Sequence, residues 1–150
     1  TYSLAMLQKN TTIEINQDFE RAIKLLNQST KHLFITGKAG TGKSTLLQYF
    51  RENTKKRVVV LAPTGVAALN VKGQTIHSFF KFPPHITPET VKHHKATQKF
   101  IAMLRHLETI VIDEVSMVRA DMMDCIDLAL RFHLQSRKPF GGFQAMTLRR

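Results

Sequence analysis

The sequence predicts an α/β domain with a parallel β-sheet flanked by helices. Two apolar runs, residues 58–62 and 109–113, are rich in Val and Ile, as is typical of strands that are buried on both faces. Helical patterns alternate with these runs, and such alternation favours parallel strands joined by crossover helices. The chain has 150 residues, 43% of them apolar, which is enough for one domain with a full hydrophobic core.

The predicted elements follow one another without an internal repeat or linker. Residues 16–28 predict a helix, because apolar residues recur at helical spacing and Asn16 suits the N-cap. Residues 32–36 predict a short strand that leads into a glycine-rich stretch, and a second helical pattern covers 46–50. The later segments continue the alternation: strand 58–62, helix 66–70, strand 109–113 and helix 121–132.

The charge balance restricts the partners of the chain. Its 22 Lys and Arg residues against 11 Asp and Glu residues give a net charge of +11. Such an excess favours polyanions, most often nucleic acid, although it also suits a fragment of a protein whose acidic part lies elsewhere.

The single cysteine, Cys125, excludes an internal disulfide framework and fits a reducing intracellular compartment. No apolar run has the length of a membrane span, and residues 1–10 lack the layout of a signal peptide.

Residues 82–99 hold three prolines followed by basic residues. We predict a proline-rich loop and then a basic helix that runs towards His106. A metal site at His93 and His94 is disfavoured, because neighbouring helical positions do not face one site and no cysteine or carboxylate cluster joins them. We expect a solvated basic face, with salt-dependent affinity for nucleic acid as the alternative, formed by Lys92, Lys95, Lys99 and Arg105.

The first chemical motif spans residues 37–44, G-K-A-G-T-G-K-S, between a predicted strand and a predicted helix. It matches the G-x-x-x-x-G-K-[ST] pattern of a phosphate-binding loop. Glycines let the backbone N–H groups surround a phosphate, and the N-terminus of the following helix adds partial positive charge. We expect Lys43 to reach the β- and γ-phosphates of ATP and the Ser44 hydroxyl to bind Mg²⁺.

A pair of carboxylates, Asp113 and Glu114, ends the second apolar strand. In phosphate-loop enzymes an Asp at this point holds Mg²⁺, and an adjacent Glu can take a proton from the attacking water. A phosphotransferase would not need this Glu, because its acceptor is a substrate hydroxyl. The pair therefore favours ATP hydrolysis, and two acids that cap the next helix are the structural alternative.

The third segment begins A-P-T-G-V-A-A-L-N at residue 62 and continues G-Q-T-I-H-S-F-F from residue 73. Its strand end, tight turn and helix N-terminus suit phosphate contacts, and its aromatic residues suit stacking on bases. Phe79 and Phe80 are nevertheless more typical of core residues. By itself, the segment is a weak indication of nucleic-acid binding.

In this order, the three motifs resemble motifs I, Ia and II of superfamily 1B DNA helicases, above all the petite-integration-frequency (PIF) type and its RecD-like relatives. The resemblance covers residues 34–144. It implies a P-loop NTPase fold with a RecA-like first motor domain that uses ATP and Mg²⁺. It also implies translocation on single-stranded DNA, 5′-to-3′ unwinding at duplex junctions, and roles in DNA repair, recombination and telomere maintenance.

The resemblance also assigns roles to individual residues. Lys43, Asp113 and Glu114 match the catalytic groups, with Ser44 and Asp113 as the Mg²⁺ ligands. Thr64 and Gly65 match the motif that touches the DNA backbone, and His77 lies where the family also contacts the strand. The residues that match the nucleotide-binding loop are Gly37, Gly40, Thr41, Gly42, Lys43, Ser44 and Thr45.

Gln17 is the candidate for the glutamine with which the family reads adenine. Its spacing to Gly37 is longer than the family pattern, and an exposed helix residue is the alternative. Ser116 and Met117 belong to the D-E-x-S-M stretch of the family. We expect Met117 to be a packing residue and assign Ser116 no role.

The C-terminal end departs from the family pattern. Residues 141–144 resemble the lead into the third motif, which should continue to Gly-Asp and a γ-phosphate-sensing glutamine, but the chain reads A-M-T-L-R-R. We therefore expect an arm at 1–15, a motor core at 16–144 and a truncated end at 145–150, without the second RecA-like domain. A central strand would be absent or built from 144–148, and its absence would expose a sheet edge and favour self-association.

With these domain boundaries, the favoured interpretation is that the chain is the first motor domain of a PIF-type DNA helicase. The alternative is a P-loop ATPase that acts as a DNA- or protein-binding regulatory module without unwinding, and a small-molecule phosphotransferase is disfavoured by the third segment and the charge. We expect the 150 residues alone to bind Mg-nucleotide weakly and not to unwind DNA. We expect no membrane partner, a nucleoid-associated cytoplasmic location in a bacterium, and a nuclear or mitochondrial location in a eukaryote.

Overall fold

The computed structural model describes residues 17–37 and 42–149, in which a parallel β-sheet lies between two layers of helices. This arrangement confirms the predicted α/β class. Within the two described ranges, no helix is long and apolar enough to cross a membrane. Asn16, proposed as the N-cap of the first helix, and the arm at 1–15 lie outside the described residues.

The helices and strands alternate as predicted along most of the chain. The helices are α1 (Gln17–Gln28), α2 (Lys43–Asn53), α3 (Gly65–Asn70), α4 (Ile76–Phe80), α5 (Gln98–His106) and α6 (Ala120–Leu134). The strands are β1 (Leu33–Thr36), β2 (Val58–Ala62), β3 (Gln74–Thr75), β4 (Thr109–Ile112) and β5 (Gln144–Arg149). Short 3₁₀ turns cover Val91–His93, Val115–Met117 and Pro139–Gly142.

The sheet has the strand order β1-β5-β4-β2-β3, and each neighbouring pair is parallel. Side chains of the central strands alternate between the two helical layers, as strand geometry requires. Val60, Val111 and Met146 pack with α1 and α2 in one cluster. Val59 and Ile110 pack with α4, α5 and α6 in the other. Both faces of the central strands are therefore covered, which explains their uninterrupted apolar sequences.

β5 lies between β1 and β4, near the middle of the sheet. Of the two outcomes predicted for this region, the structure shows the second: a strand is built from residue 144 onwards, and it extends to Arg149. Met146 and Leu148 are completely buried. The open edge from which self-association was predicted is therefore filled by β5.

The basic segment contains less helix than predicted. The Thr87 and Thr90 hydroxyls, 3.0 Å apart, hold a turn before the Val91–His93 3₁₀ turn. α5 starts only at Gln98, because the Thr97 hydroxyl accepts a hydrogen bond from the Phe100 N–H at 3.1 Å and caps the helix.

The four basic residues of this region are spread over different elements. Lys92 lies in the 3₁₀ turn, Lys95 in the loop that follows, and Lys99 and Arg105 in α5. All four are exposed, which is compatible with a solvated face and with contacts to nucleic acid.

Gly73 lies where the backbone passes closest to the sheet. A Cβ atom at this position would stand 2.4 Å from the Val60 carbonyl oxygen. The Gly73 N–H donates to the Ala68 carbonyl at 2.8 Å, which closes the turn between α3 and β3. Only glycine allows this turn to lie against β2 and direct the chain into β3 and α4.

Candidate nucleotide and DNA site

The phosphate loop connects β1 to α2, which is the strand-to-helix setting that the motif requires. Gly42 has a φ of 88° and directly precedes α2, a conformation that favours glycine. Lys43 is buried, and its Nζ donates to the carbonyl of Gly37 at the start of the loop. Gly40 and Thr41 lie outside the described residues. The Lys43 side chain thus reaches back from the start of α2 to the start of the loop.

The first turn of α2 provides a hydroxyl and a helix N-terminus. Ser44 is exposed in this turn and Thr45 is half-buried. No acidic residue lies in the turn, so the partial positive charge of the helix end is not offset there. The turn is therefore suited to an anion.

The two carboxylates follow β4 directly. Asp113 is 1% exposed, and its N–H donates to the Leu61 carbonyl at 2.9 Å, which extends the pairing of β4 with β2 by one residue. Glu114 is half-buried and has a left-handed backbone, with φ of 52° and ψ of 44°. This conformation ends the extended backbone of the strand directly after Asp113.

These residue types fit a magnesium nucleotide. A buried ammonium suits the β- and γ-phosphates, and a serine hydroxyl with a buried carboxylate suits a hard divalent cation that keeps several waters. Ser44 and Asp113 are the residues that would hold Mg²⁺. Across the part of the chain that the structure describes, no group of three or more His, Cys, Asp or Glu side chains could form an all-protein metal site.

Thr64 and Gly65 lie where β2 ends and α3 begins. The Thr64 hydroxyl caps α3 by accepting a hydrogen bond from the Ala67 N–H at 3.2 Å. Its oxygen is the acceptor in this bond, so the hydroxyl hydrogen can still be donated to a phosphate oxygen. Gly65 is exposed, and a Cβ atom there would meet nothing within 4 Å. A ligand backbone can therefore approach this turn closely.

His77 lies in the first turns of α4, directly after β3. Its ring is half-buried and meets Phe82 edge-on, with the ring centroids 6.5 Å apart. Phe79 and Phe80 point inward and pack against Phe100, which confirms the prediction that they are core residues. His77 is thus only partly covered, so a ligand can still contact it.

The predicted site residues converge because the strands are parallel and in register. Ile112 pairs with Leu61 of β2 and with Thr147 of β5, and Thr147 pairs with Phe34 of β1. Leu61 in turn pairs with Gln74 of β3. The carboxyl ends of β1, β2, β3 and β4 therefore lie at one edge of the sheet, where ligands bind in open α/β folds. This carboxyl edge carries the phosphate loop, the carboxylates, Thr64 and His77.

Gln17 is the first residue of α1 and is exposed. The other end of α1 is fixed at the amino edge of the sheet, because the Gln144 side chain donates to the carbonyls of Ser29 and Lys31 at 3.1 and 2.9 Å. A helix of 12 residues is about 18 Å long, so Gln17 lies towards the carboxyl edge. The position of Gln17 is compatible with both interpretations of the sequence, a glutamine that reads adenine and an exposed helix residue.

Met117 does not pack as predicted. It lies in the Val115–Met117 3₁₀ turn and is 57% exposed, because the sharp turn at Glu114 carries the chain out from the sheet. Ser116 beside it is also exposed.

The sequence also gave no indication of the role of Arg51. Its guanidinium donates to the Val71 carbonyl and, at 3.0 Å, to the Lys72 carbonyl. It thereby ties α2, which begins at the phosphate loop, to the turn between Thr64 and His77. No spacing rule predicts a contact between residues so far apart in the chain.

Comparison with known proteins agrees with the motifs. The family model described as PIF1-like helicase matches residues 11–147. The chain is 36% identical over 138 residues to the ATP-dependent DNA helicase PIF5 of Trypanosoma brucei brucei, a match that covers 88% of this chain and 15% of that protein. It is 32% identical to the ATP-dependent DNA helicase Pif1 of Bdellovibrio bacteriovorus, covering 91% of this chain and 31% of the relative. The chain thus spans a third or less of these relatives.

Solved structures of related proteins share the fold. A Bacteroides Pif1 helicase in complex with ADP-AlF3 and ssDNA has a TM-score of 0.82 and 39% identity, covering 89% of this chain and 32% of that one. A structure of two coordinating Pif1 helicases at forked dsDNA has a TM-score of 0.79 and 36% identity, covering 90% of this chain and 33% of that one. The family model covers most of the chain, and the fold and site geometry agree with it. The chain therefore belongs to the PIF1-like helicase family.

Proposed function

We propose that the chain is the nucleotide-binding part of an ATP-driven motor that moves along single-stranded DNA, and that the full-length protein unwinds duplex DNA 5′-to-3′. One observation carries the proposal: the carboxyl edge holds a phosphate loop, a carboxylate pair and two candidate backbone-contacting residues, Thr64 and His77. The names of the relatives, which are ATP-dependent DNA helicases, support it.

The residues of the site divide the work of hydrolysis. The Lys43 ammonium exchanges the Gly37 carbonyl for phosphate oxygens and neutralises the charge that develops there. Glu114 accepts a proton from the attacking water. Ser44 and Asp113 would hold Mg²⁺, which would neutralise negative charge on the phosphates.

The DNA contacts involve the sugar-phosphate backbone. The Thr64 hydroxyl hydrogen and the half-buried His77 suit contacts with phosphate oxygens, which carry no sequence information. We therefore propose binding without sequence preference, to single strands and at duplex junctions. The processes that expose such DNA are repair, recombination and telomere maintenance, in the nucleoid of a bacterium or in the nucleus or mitochondrion of a eukaryote. We also propose that two copies act on one fork, which the structure of two coordinating Pif1 helicases supports.

The test is ATP hydrolysis by the full-length protein, with and without single-stranded DNA, beside the variants Lys43→Ala and Lys55→Ala. Lys55 is exposed and lies away from the loop, so its removal controls for the loss of one charge. We expect DNA to stimulate hydrolysis, and Lys43→Ala to lower it by more than about a hundredfold while Lys55→Ala leaves it unchanged. Hydrolysis that is indifferent to DNA would favour the alternative, a regulatory P-loop ATPase.

A further inference from the structure

A positively charged surface lies away from the carboxyl edge. α5 and α6 leave between them a groove of about 620 Å³, within the range of ligand pockets. We call it the basic groove, and its principal lining residues are Ile101, Arg105, Arg131, Phe132, His133 and Arg137.

The basic groove lies towards the opposite edge of the sheet. α5 ends at His106, whose carbonyl accepts from Arg57 directly before β2 begins. Arg137 follows α6 and precedes the start of β5. Both sides of the groove are therefore near the amino ends of the strands, whereas the phosphate loop, Thr64 and His77 follow the carboxyl ends. A ligand in the basic groove would not occupy the nucleotide site.

The positive charge of the three arginines in the basic groove exceeds the negative charge of the carboxylates that pair with them. Arg131 is held by Asp127, which accepts from its Nε at 2.9 Å. Arg105 and Arg137 are exposed, and neither forms an ion pair with a carboxylate in the part of the chain that the structure describes. The lining of the groove includes no acidic side chain. Such a surface attracts an anionic partner.

An exposed aromatic ring stands among these arginines. Phe132 is 57% exposed, although a phenylalanine side chain normally gains from burial. Its ring meets His133 edge-on at a centroid distance of 5.7 Å, and His133 is itself buried against Phe100. The ring therefore contacts a buried neighbour and also lines the groove.

We propose that the basic groove is a second binding site for single-stranded DNA, in which a base stacks on Phe132 and phosphates lie against Arg105 and Arg137. Cationic side chains around a stacking platform are the means by which proteins bind single strands without reading sequence. An acidic peptide would satisfy the arginines but would give Phe132 no stacking partner. This site goes beyond the motor function, since it holds a strand at the edge opposite the phosphate loop.

The test is photo-crosslinking of the full-length protein to oligo(dT) that carries 5-iodouracil, with the adducts located by mass spectrometry. We expect an adduct on Phe132. The double variant Arg105→Gln/Arg137→Gln should lose this adduct and show a lower salt dependence of DNA binding, by about 0.7 in the log–log slope for each phosphate contact removed. Phe132→Leu should lose the adduct and bind about tenfold more weakly.

The matched control is Lys24→Gln/Lys55→Gln, which removes two exposed charges on the other side of the sheet and should retain the Phe132 adduct. All these side chains are exposed, and circular dichroism checks the fold of each variant. The proposal would be overturned if the adducts were confined to residues 62–80. It would also be overturned if both double variants changed DNA binding equally. A third contrary result would be that oligoglutamate competes with the DNA while no crosslink forms at Phe132. DNA-stimulated ATP hydrolysis is measured on the same samples, so failure of this site is distinguishable from failure of the motor function.

Discussion

Gln144 joins three parts of the domain through one buried amide. Its Nε2 donates to the carbonyls of Ser29 and Lys31, and its Oε1 accepts from the Lys56 ammonium and the Thr109 hydroxyl, both at 3.0 Å. Burial lowers the pKa of Lys56, an effect that the charge of Glu108 opposes. The sequence places Gln144 in the stretch that resembles the lead into the third motif, but that resemblance predicts none of these hydrogen bonds, because they join segments that are distant in the chain.

We expect Gln144→Leu to lower the free energy of unfolding by about 3 kcal/mol, because it leaves buried donors and acceptors without partners. The matched control is Gln48→Leu. Gln48 is exposed and, among the described residues, its side chain bonds Glu52 within α2, so its replacement should change stability by less than about 0.5 kcal/mol. Urea denaturation of the three proteins measures the difference, and equal stability of the two variants would contradict the role given to Gln144.

Burial lowers the pKa of His133, and the charge of His94 acts in the same direction. As the pH falls below about 6.5, His133 therefore binds a proton more readily in the unfolded chain than in the folded chain. The free energy of unfolding consequently falls as the pH falls below this value. We expect His133→Gln to flatten this part of the pH dependence, and the exposed His85→Gln to leave it unchanged. Denaturation midpoints measured between neutral and mildly acidic pH provide the test. If the slope of stability against pH were unchanged in His133→Gln, His133 would not be the source of this pH dependence.

At the scale of elements, long periodic segments were predictable and short ones were not. The pattern at 58–62 matched β2 residue for residue, because a strand buried on both faces leaves an uninterrupted apolar run. β3 has only two residues, too few to show a period of two. The start of α5 is set by the Thr97 cap, and a threonine among many polar residues does not by itself mark a cap.

The turn between α3 and β3 can be tested with two glycines. Gly73→Ala would place a Cβ atom 2.4 Å from the Val60 carbonyl oxygen, so the backbone must shift, and we expect a loss of about 3 kcal/mol of stability. In Gly65→Ala the added Cβ atom would meet nothing within 4 Å, and the substitution reduces the conformational freedom of the unfolded chain. We therefore expect a gain of about 0.5 kcal/mol in stability. Thermal unfolding monitored by circular dichroism compares the two, and similar midpoints would contradict the close approach at Gly73.

For the whole molecule, the convergence of the site on one sheet edge was predictable from the α/β class, whereas the strand order was not. Asp113 and the phosphate loop are far apart in sequence, and they share an edge because all strands run the same way. Composition and periodicity do not determine which strand occupies the centre. The sequence therefore left open whether β5 exists, and the structure places it between β4 and β1.

The position of β5 between β1 and β4 predicts that strands differ in their tolerance of charge. Met146→Asp would bury an unpaired carboxylate in the middle of the sheet, and we expect loss of cooperative unfolding. Phe34→Asp places the same charge on β1, where the side chain is already 61% exposed, and we expect a change of less than about 1 kcal/mol. Near-ultraviolet circular dichroism and urea denaturation measure both, and a folded Met146→Asp protein would contradict the assigned position.

The position of β5 also has a consequence during synthesis on the ribosome. Both of its neighbours, β1 and β4, are translated before it, yet neither can complete its pairing until β5 has emerged from the exit tunnel. In that interval the nascent chain carries two apolar strands with unsatisfied backbone groups that face each other across a gap. Such edges are templates for association with other chains, and their closure requires contacts over long sequence separations, which form slowly. Newly made molecules are thus most exposed to aggregation just before residues 144–149 appear.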